Sequence, residues 1–208
     1  MKYSLCTFIL AITVISFMGW IVENLWLAVT KGYIDNRSMT LPFLLGYGLF
    51  IAVLYLVIGT PHSLTYLVAG KSKKAKLCRC VIYFFLAMLI VSIGEIILGT
   101  LVERVCGFYY WNYEWIPLHI TKYTSIPTSS GFALGITFFM GKCFLPLMDA
   151  LSRLPLYLSA VLALFFTIIL SADFLISFRK MYQNHNLNRR WEKELSHPHL
   201  IYRIRFRN

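Results

Sequence analysis

Ionisable side chains interrupt the long apolar segments of this chain, and they are the residues best placed to do chemistry. A charged group near the centre of a membrane-spanning helix costs about 2.5–3.5 kcal/mol, so such groups mark a polar interior or cavity. Two further candidates, Arg37 and Glu114, lie in polar connections between the segments. The ionisable residues inside or at the ends of apolar segments are Glu23, Glu95, Glu103, Lys142 and Asp173.

Glu95 and Glu103 are spaced so that they can share one face of a helix. Their separation corresponds to about 80° around the helix axis and about 12 Å along it. If Glu23 faces them, the interior is acidic and requires protons, a cation or a partner such as Arg37 or Lys142. The alternative is a structural network in which pairing or protonation alone satisfies the acids.

The sequence contains none of the short motifs that mark common catalytic sites. It has no P-loop for ATP phosphates, and it lacks the Gly-x-Ser-x-Gly and His-Glu-x-x-His patterns. The five cysteines have neither zinc nor disulfide spacing, and the five histidines lie outside the apolar segments. We therefore predict no metal site and no cofactor, and the sequence by itself assigns no enzymatic activity.

Composition predicts an integral membrane protein. Of the 208 residues, 58% are hydrophobic and 14% are charged, whereas soluble domains are about 25% charged. The net charge of +11 comes from basic residues between and after the apolar segments, where they attract anionic lipid headgroups and orient the chain. This pattern favours membrane lipids over nucleic acid as partners and predicts a multi-pass protein of the cell membrane.

Five apolar segments approach or exceed the length of a membrane span, which is about 20 helical residues. They predict an all-α polytopic transmembrane bundle in residues 1–178, followed by a basic tail in residues 179–208. The five segments cover residues 4–29, 42–59, 81–102, 131–148 and 155–178.

The distribution of basic residues leaves two membrane topologies open. Basic segments favour the cytoplasm, but five spans place the lysine-rich segment 60–80 and the tail on opposite sides. A re-entrant fourth segment, rich in glycine and containing Lys142 and Pro146, would place both on one side. We favour five spans because an apolar segment of this length usually crosses the membrane. Four spans plus a re-entrant segment is the alternative.

Residues 107–127 are rich in aromatic side chains and predict a loop at the membrane surface. Tyrosine and tryptophan favour that boundary, because the ring is partly buried while the polar group stays hydrated. Trp111 and Tyr113 are the candidates for ligand contact in this loop, and simple anchoring of the loop is the alternative.

The polar residues resemble the pattern of a known family. That family has a Gly-Trp-x-x-Glu motif, then Asn-Arg-Gly and Tyr-Gly elements, two glutamates eight apart, a Trp-Trp-Asp-Tyr element and a late acid. Here Ser38 replaces the glycine and Asn112 replaces the aspartate. Over residues 10–178 the chain is similar to the bacterial Putative ABC-transporter type IV family, also called CmpB-like permeases. The matching residues are Gly19, Trp20, Glu23, Asn36, Arg37, Tyr47, Gly48, Glu95, Glu103, Tyr110, Trp111, Tyr113 and Asp173.

The resemblance implies a bacterial membrane transport component with an acidic intramembrane site. Because this chain has no ATPase motif and is small for a complete transporter, a separate ATPase subunit or a homo-oligomer is the implied partner. The predicted ligand-binding residues are Glu23, Asn36, Arg37, Tyr47, Glu95, Glu103, Trp111, Tyr113 and Asp173.

Two other functions stay open at this point. A membrane-embedded enzyme acting on a lipid or isoprenoid phosphate could use paired carboxylates as acid and base, with Arg37 binding the phosphate. A small regulatory or assembly protein could bind a partner or anionic lipid through the basic tail, with the acids only stabilising the bundle.

Overall fold

The computed structural model of the protein describes residues 3–188 and 191–195, and these residues are mostly helical, as predicted. Histidines 197 and 199 and the rest of the tail from residue 196 lie outside the described residues. The α-helices are α1 (Leu5–Lys31), α2 (Leu45–Ile58), α3 (Lys73–Cys106), α4 (Ile126–Lys142), α5 (Phe144–Ser152) and α6 (Leu156–Asn184). A 3₁₀ helix (Pro61–Tyr66) follows α2, and the short strands are β1 (Tyr33–Asp35), β2 (His119–Thr121), β3 (Thr124–Ser125) and β4 (Glu192–Glu194).

The apolar helices confirm the prediction of a multi-span membrane protein. Four helical segments of the described chain are long and apolar enough to cross a membrane, and α4 with α5 makes a fifth if this bent pair is one span. The pair bends by 46° at its break. Pro146 contributes to the break, because it has no N–H to donate to the carbonyl of Lys142 one turn earlier. Whether the fourth segment crosses or re-enters stays a prediction.

Helix α3 begins eight residues before the apolar segment that predicted it, inside the lysine-rich connection. The Ser72 side chain caps the helix by accepting a hydrogen bond of 3.1 Å from the N–H of Ala75. Arg79 donates to the carbonyls of Val68 and Gly70, each at 3.0 Å, and so holds the preceding turn. Hydropathy alone does not detect this first part of the helix, because its lysines are exposed and carry no apolar signal.

The chain divides into two compact units, with boundaries after Tyr3, inside α2 and between α5 and α6. The central unit contains residues 51–154 and Tyr3, and the terminal unit contains residues 4–50 and the described residues from 155 onward.

In the central unit, α3 packs against α4 and against the 3₁₀ helix. Tyr83 is fully buried, and its hydroxyl donates to the carbonyl of Gly59 at 3.1 Å. The Tyr3 hydroxyl donates to Asp149 Oδ1 at 2.7 Å, which ties the start of the chain to α5. Strands β2 and β3 form a small antiparallel pairing just before α4.

In the terminal unit, the first and last helices, α1 and α6, pack against each other. The Phe43 ring, just before α2, lies 5.6 Å from the Phe17 ring of α1 and 6.2 Å from the Phe166 ring of α6. Strand β1 pairs antiparallel with β4, so residues after α6 return to the segment that follows α1.

Candidate functional site

Glu23 of α1 binds two residues of the following segment through its two carboxylate oxygens. Its Oε1 lies 3.1 Å from Arg37 Nη2, and its Oε2 accepts a 2.7 Å hydrogen bond from the Tyr47 hydroxyl. The Glu23 and Arg37 side chains are 19% and 9% exposed. This is a partly buried, charge-assisted pair with both carboxylate oxygens engaged. We call Glu23, Arg37 and Tyr47 the Glu23 cluster.

A tight turn positions Arg37 in the first connection, residues 32–44. Arg37 and Ser38 both have left-handed backbone conformations, with φ of 47° and 66°. The N–H of Met39 donates to the carbonyl of Asn36 at 2.9 Å and closes the turn, as in the mirror-image turns of hairpins. Asp35 Oδ1 accepts from the N–H of Arg37 at 2.9 Å. Residues with a Cβ rarely adopt this backbone conformation, so the surrounding contacts must stabilise the turn.

Polar side chains of α1 and of the turn itself supply those contacts. Asn24 accepts from the N–H of Asp35 at 2.9 Å and donates to the carbonyl of Trp20 at 3.1 Å. Asn36 is 2% exposed, and its amide donates to the Met39 carbonyl at 2.6 Å. Asn36 therefore stabilises the turn that carries Arg37.

Asp173 of α6 binds the backbone at the end of the same connection. Its Oδ1 accepts from the N–H of Thr40 at 2.9 Å, and its Oδ2 accepts from the N–H of Leu41 at 3.0 Å. Ser177, one turn later on α6, donates to Oδ1 at 3.4 Å. Carboxylate binding to backbone N–H groups is a strong form of hydrogen bond. The acid in the last apolar segment thus fixes the first connection.

Two glycines make room for Tyr47 and its helix. The Tyr47 ring lies against Gly19, one turn before Glu23 on α1, in the space that a Cβ would fill. Gly48 in turn lies against the carbonyl of Ile12 and the side chain of Ser16. The Gly-x-x-x-Glu and Tyr-Gly spacings are therefore both requirements of the same close helix contact.

Glu103 at the end of α3 binds two residues of the second connection, residues 107–125. Its Oε1 accepts a 2.8 Å hydrogen bond from Lys122 Nζ, and its Oε2 accepts a hydrogen bond from the Tyr123 hydroxyl. The Lys122 ammonium also lies 4.5 Å from the centre of the Tyr109 ring. We call Glu103, Lys122 and Tyr123 the Glu103 cluster.

The two donors of the Glu103 cluster keep their protons at physiological pH. The hydrogen bond to Glu103 raises the pKa of Lys122 above its ordinary value. Burial, followed by the hydrogen bond to Glu103, raises the pKa of Tyr123 to about 12. Both groups therefore donate to the carboxylate throughout the neutral range.

Glu95, two turns before Glu103 on α3, accepts hydrogen bonds from two hydroxyl groups. Its Oε2 accepts from Thr124 at 2.7 Å and from Ser129 at 3.3 Å. Thr124 and Ser129 are fully buried and lie 2.8 Å apart, oxygen to oxygen, and Ser92 lies 3.0 Å from Ser129. These contacts join α3 to the start of α4 through a polar network inside an apolar helix pair.

The aromatic loop packs on the residues of the Glu103 cluster. Trp111 Nε1 donates to the carbonyl of Tyr123 at 2.9 Å, and the two rings lie 6.2 Å apart. The N–H of Tyr113 donates to the carbonyl of Lys122 at 2.8 Å. Both residues thus position the segment that binds Glu103, and their contact with a ligand stays a prediction.

Comparison with known proteins decides the family. The family model described as Putative ABC-transporter type IV matches residues 10–178, which is most of the chain. The chain belongs to the Putative ABC-transporter type IV family. No curated protein and no solved structure matched it. Family membership and the apolar helices together make it a multi-pass membrane protein of an ABC-transporter type.

The predicted site residues of this family member fall into two sets, one in each unit. The terminal unit brings together Glu23, Asn36, Arg37, Tyr47 and Asp173 around the first connection. The central unit brings together Glu95, Glu103, Trp111 and Tyr113 around the second connection. The ligand-binding role of all nine residues stays a prediction.

Sequence reasoning missed Lys122 and Tyr123, and it offered Arg37 or Lys142 as the cation for the acids. The structure pairs Glu23 with Arg37, which was one of the two cations offered. It pairs Glu103 with Lys122, which was not. A repeated Gly-x-x-x-Glu spacing, at Gly19 and again at Gly99, is the sequence signal that could have directed attention to the second connection.

A mostly apolar cleft of about 260 Å³ lies beside the first connection. The Trp20 and Trp191 rings on its wall are 6.4 Å apart and nearly edge to face. The lining residues are Trp20, Asn36, Thr40, Leu41, Pro42 and Trp191.

Proposed function

We propose that this protein is the membrane-spanning permease subunit of a transporter that a separate ATPase subunit drives. Family membership and the apolar helices support the transport role. The chain has no P-loop, so ATP would have to be hydrolysed by another subunit. In this proposal the Glu23 cluster forms part of the ligand site.

The observation that carries the ligand site is the partly buried pairing of Glu23 with Arg37. A buried ion pair contributes little net stability, because desolvation offsets much of the attraction, so stability alone is a weak reason for it. A charged substrate can replace either partner of such a pair. The left-handed turn and the Asp173 contacts preposition Arg37, which lowers the entropy lost on binding.

The subunit composition tests the transport role directly. The full-length chain, purified in mild detergent from its native membrane, should co-elute with an ATP-hydrolysing subunit at a fixed ratio. Reconstitution of that complex should give ATP hydrolysis and flux that both require this chain. A chain that purifies and reconstitutes without any ATPase would overturn the proposal.

Glu23→Gln tests the ligand site within that complex. It keeps the size of the side chain and the acceptor oxygen for Tyr47 but removes the charge that faces Arg37. We expect ATP-driven flux to fall about tenfold, the effect of losing one charged hydrogen bond, while complex assembly is unchanged. Glu114→Gln, at an exposed loop position, is the matched control and should keep full flux. Unchanged flux in Glu23→Gln would remove Glu23 from the ligand site.

An enzyme acting on a lipid or isoprenoid phosphate is the second candidate, because Arg37 and a glutamate do converge within bonding distance. The Arg37 side chain is, however, only 9% exposed, and the residues that line the neighbouring cleft do not include it. A phosphate would have to break the Glu23 pair before binding. Release of phosphate from an isoprenoid phosphate by the purified chain, lost in Arg37→Gln, would favour this candidate over transport.

A further inference from the structure

The Glu23 and Glu103 clusters have the same types of hydrogen-bond partner. In each, the glutamate Oε1 binds a basic side chain, Arg37 at 3.1 Å or Lys122 at 2.8 Å. In each, Oε2 accepts from a tyrosine hydroxyl, that of Tyr47 or Tyr123. Two carboxylates of one chain thus each bind one basic side chain and one tyrosine hydroxyl.

The packing beneath the two tyrosines also matches. The Tyr47 ring lies against Gly19 and the Tyr123 ring lies against Gly99, each in the space that a Cβ would fill. Each glycine precedes its glutamate by one helical turn, in a Gly-x-x-x-Glu spacing. The tyrosines follow their glutamates by similar distances, 24 and 20 residues.

The surrounding elements repeat in the same order. Helices α1 and α3 both end in a glycine with φ of 75°, Gly32 and Gly107, whose N–H groups donate back to the helix. A connection follows each helix, with one short strand after α1 and two after α3, and a second apolar helix, α2 or α4, follows each connection. In both copies the basic residue comes before the tyrosine, although Tyr47 lies in the first turn of α2 whereas Tyr123 lies in the connection before α4.

We propose that α1–α2 and α3–α4 are two copies of one helix–connection–helix repeat, and that Lys122 and Tyr123 are positioning residues equivalent to Arg37 and Tyr47. This rests on the proposed function for its biological meaning, because it makes the predicted ligand site one of two. Each cluster holds its connection against the end of the preceding helix. A charged ligand or a proton that engages either glutamate must loosen the corresponding connection.

Hydrogen–deuterium exchange of the full-length protein in lipid nanodiscs tests this equivalence without any transport assay. Lys122→Gln should raise exchange in residues 107–125 about tenfold, and Arg37→Gln should do the same in residues 32–44, as expected for loss of one charged hydrogen bond. Tyr123→Phe and Tyr47→Phe keep the ring on its glycine and remove only the hydroxyl, so they should raise the same exchange without unfolding the protein.

Swapping the basic residues between the two copies tests whether each cluster accepts the cation of the other. Lys122→Arg and Arg37→Lys should each keep the protection of the wild type, because the other copy already uses that cation. Failure of either swap to protect its connection, or exchange that rises equally across all helices, would overturn the proposal. If the exchange results hold but no ATPase co-elutes, the repeat stands and the transport role fails. If an ATPase co-elutes but the connections do not respond, only the repeat fails.

Discussion

At the scale of single residues, the turn at Arg37 and Ser38 is a place where the chain stores backbone strain. Both residues have positive φ, and this conformation costs a residue with a Cβ about 1–2 kcal/mol. Ser38 is 1% exposed, and its hydroxyl has no hydrogen-bond partner in the structure. The family pattern has glycine at this position, and glycine adopts such a conformation without strain.

Ser38→Gly should therefore stabilise the protein by about 1 kcal/mol. The substitution removes the strained Cβ and an unpartnered buried hydroxyl, and it leaves the Glu23 pair in place. Thermal unfolding in detergent would show the gain as a higher midpoint. Ser130→Gly, inside α4, is the control and should lower the midpoint, because glycine weakens a helix interior. A lower midpoint for Ser38→Gly would show that the turn is not strained.

The Tyr123 hydroxyl is the group whose ionisation reports on the Glu103 cluster. Its pKa is raised from about 10 to about 12, first by burial and then by the hydrogen bond to Glu103. A raised pKa means that the tyrosine stabilises the fold fully below about pH 10. That contribution is lost as the pH rises through about 12.

The difference between the alkaline absorbance titration curves of the wild type and of Tyr123→Phe should isolate the ionisation of Tyr123. We expect the difference to correspond to one phenol with a midpoint near pH 12. The destabilisation caused by Tyr123→Phe should be constant from neutral pH to about pH 10 and should shrink above it. A difference curve centred at the ordinary tyrosine value would mean that Tyr123 is exposed and does not bind Glu103.

At the scale of elements, glycines decide how closely the tyrosines approach α1 and α3. Gly99 touches the Tyr123 ring, whereas nothing lies within 4 Å of the Cβ position at Gly135 of α4. The same substitution must therefore have opposite effects at the two positions.

Gly99→Ala should destabilise the protein by about 1–3 kcal/mol, because the added methyl group displaces the Tyr123 ring. Gly135→Ala is the matched control and should stabilise it by about 0.5–1 kcal/mol through higher helix propensity. Unfolding midpoints in one detergent give both values. Equal effects at the two positions would contradict the packing of Tyr123 on Gly99.

The helices were predictable from the sequence because long apolar runs have few alternatives in a membrane. The contacts of the acidic side chains were not predictable from the sequence. Lys122 binds a glutamate 19 residues earlier, and it lies in a polar loop where no periodic pattern marks it. The short strand β4 was missed for a similar reason, since its three residues pair with β1 from the opposite end of the chain. Local sequence carries little information about such distant pairs.

At the scale of the whole molecule, membrane topology depends on the bent pair α4–α5. Helix α4 has 17 residues and spans about 25 Å, and the nine residues of α5, tilted by 46°, add about 9 Å. The sum exceeds the hydrocarbon thickness of about 30 Å. The bent pair is thus long enough to cross, as five spans require, and the crossing itself stays a prediction.

Single cysteines at Lys74 and Asn186, in a background without the five native cysteines, would test this count. Five spans place the two positions on opposite sides, so a membrane-impermeant thiol reagent should label only one of them in sealed vesicles. Labelling after detergent treatment is the control for reactivity. Labelling of both positions from the same side would show that the fourth segment re-enters.

The terminal unit is built from segments that lie far apart in the sequence, so it can be completed only late in synthesis. Helix α1 is translated before α2 to α5, whereas its packing partner α6 and the strand that pairs with β1 are translated after them. Helix α1 therefore lies in the bilayer without these two partners while α2 to α5 are translated. A nascent chain stalled before residue 155 has no Asp173 to bind the connection after α1, so that connection can reach its final form only after α6 has been translated.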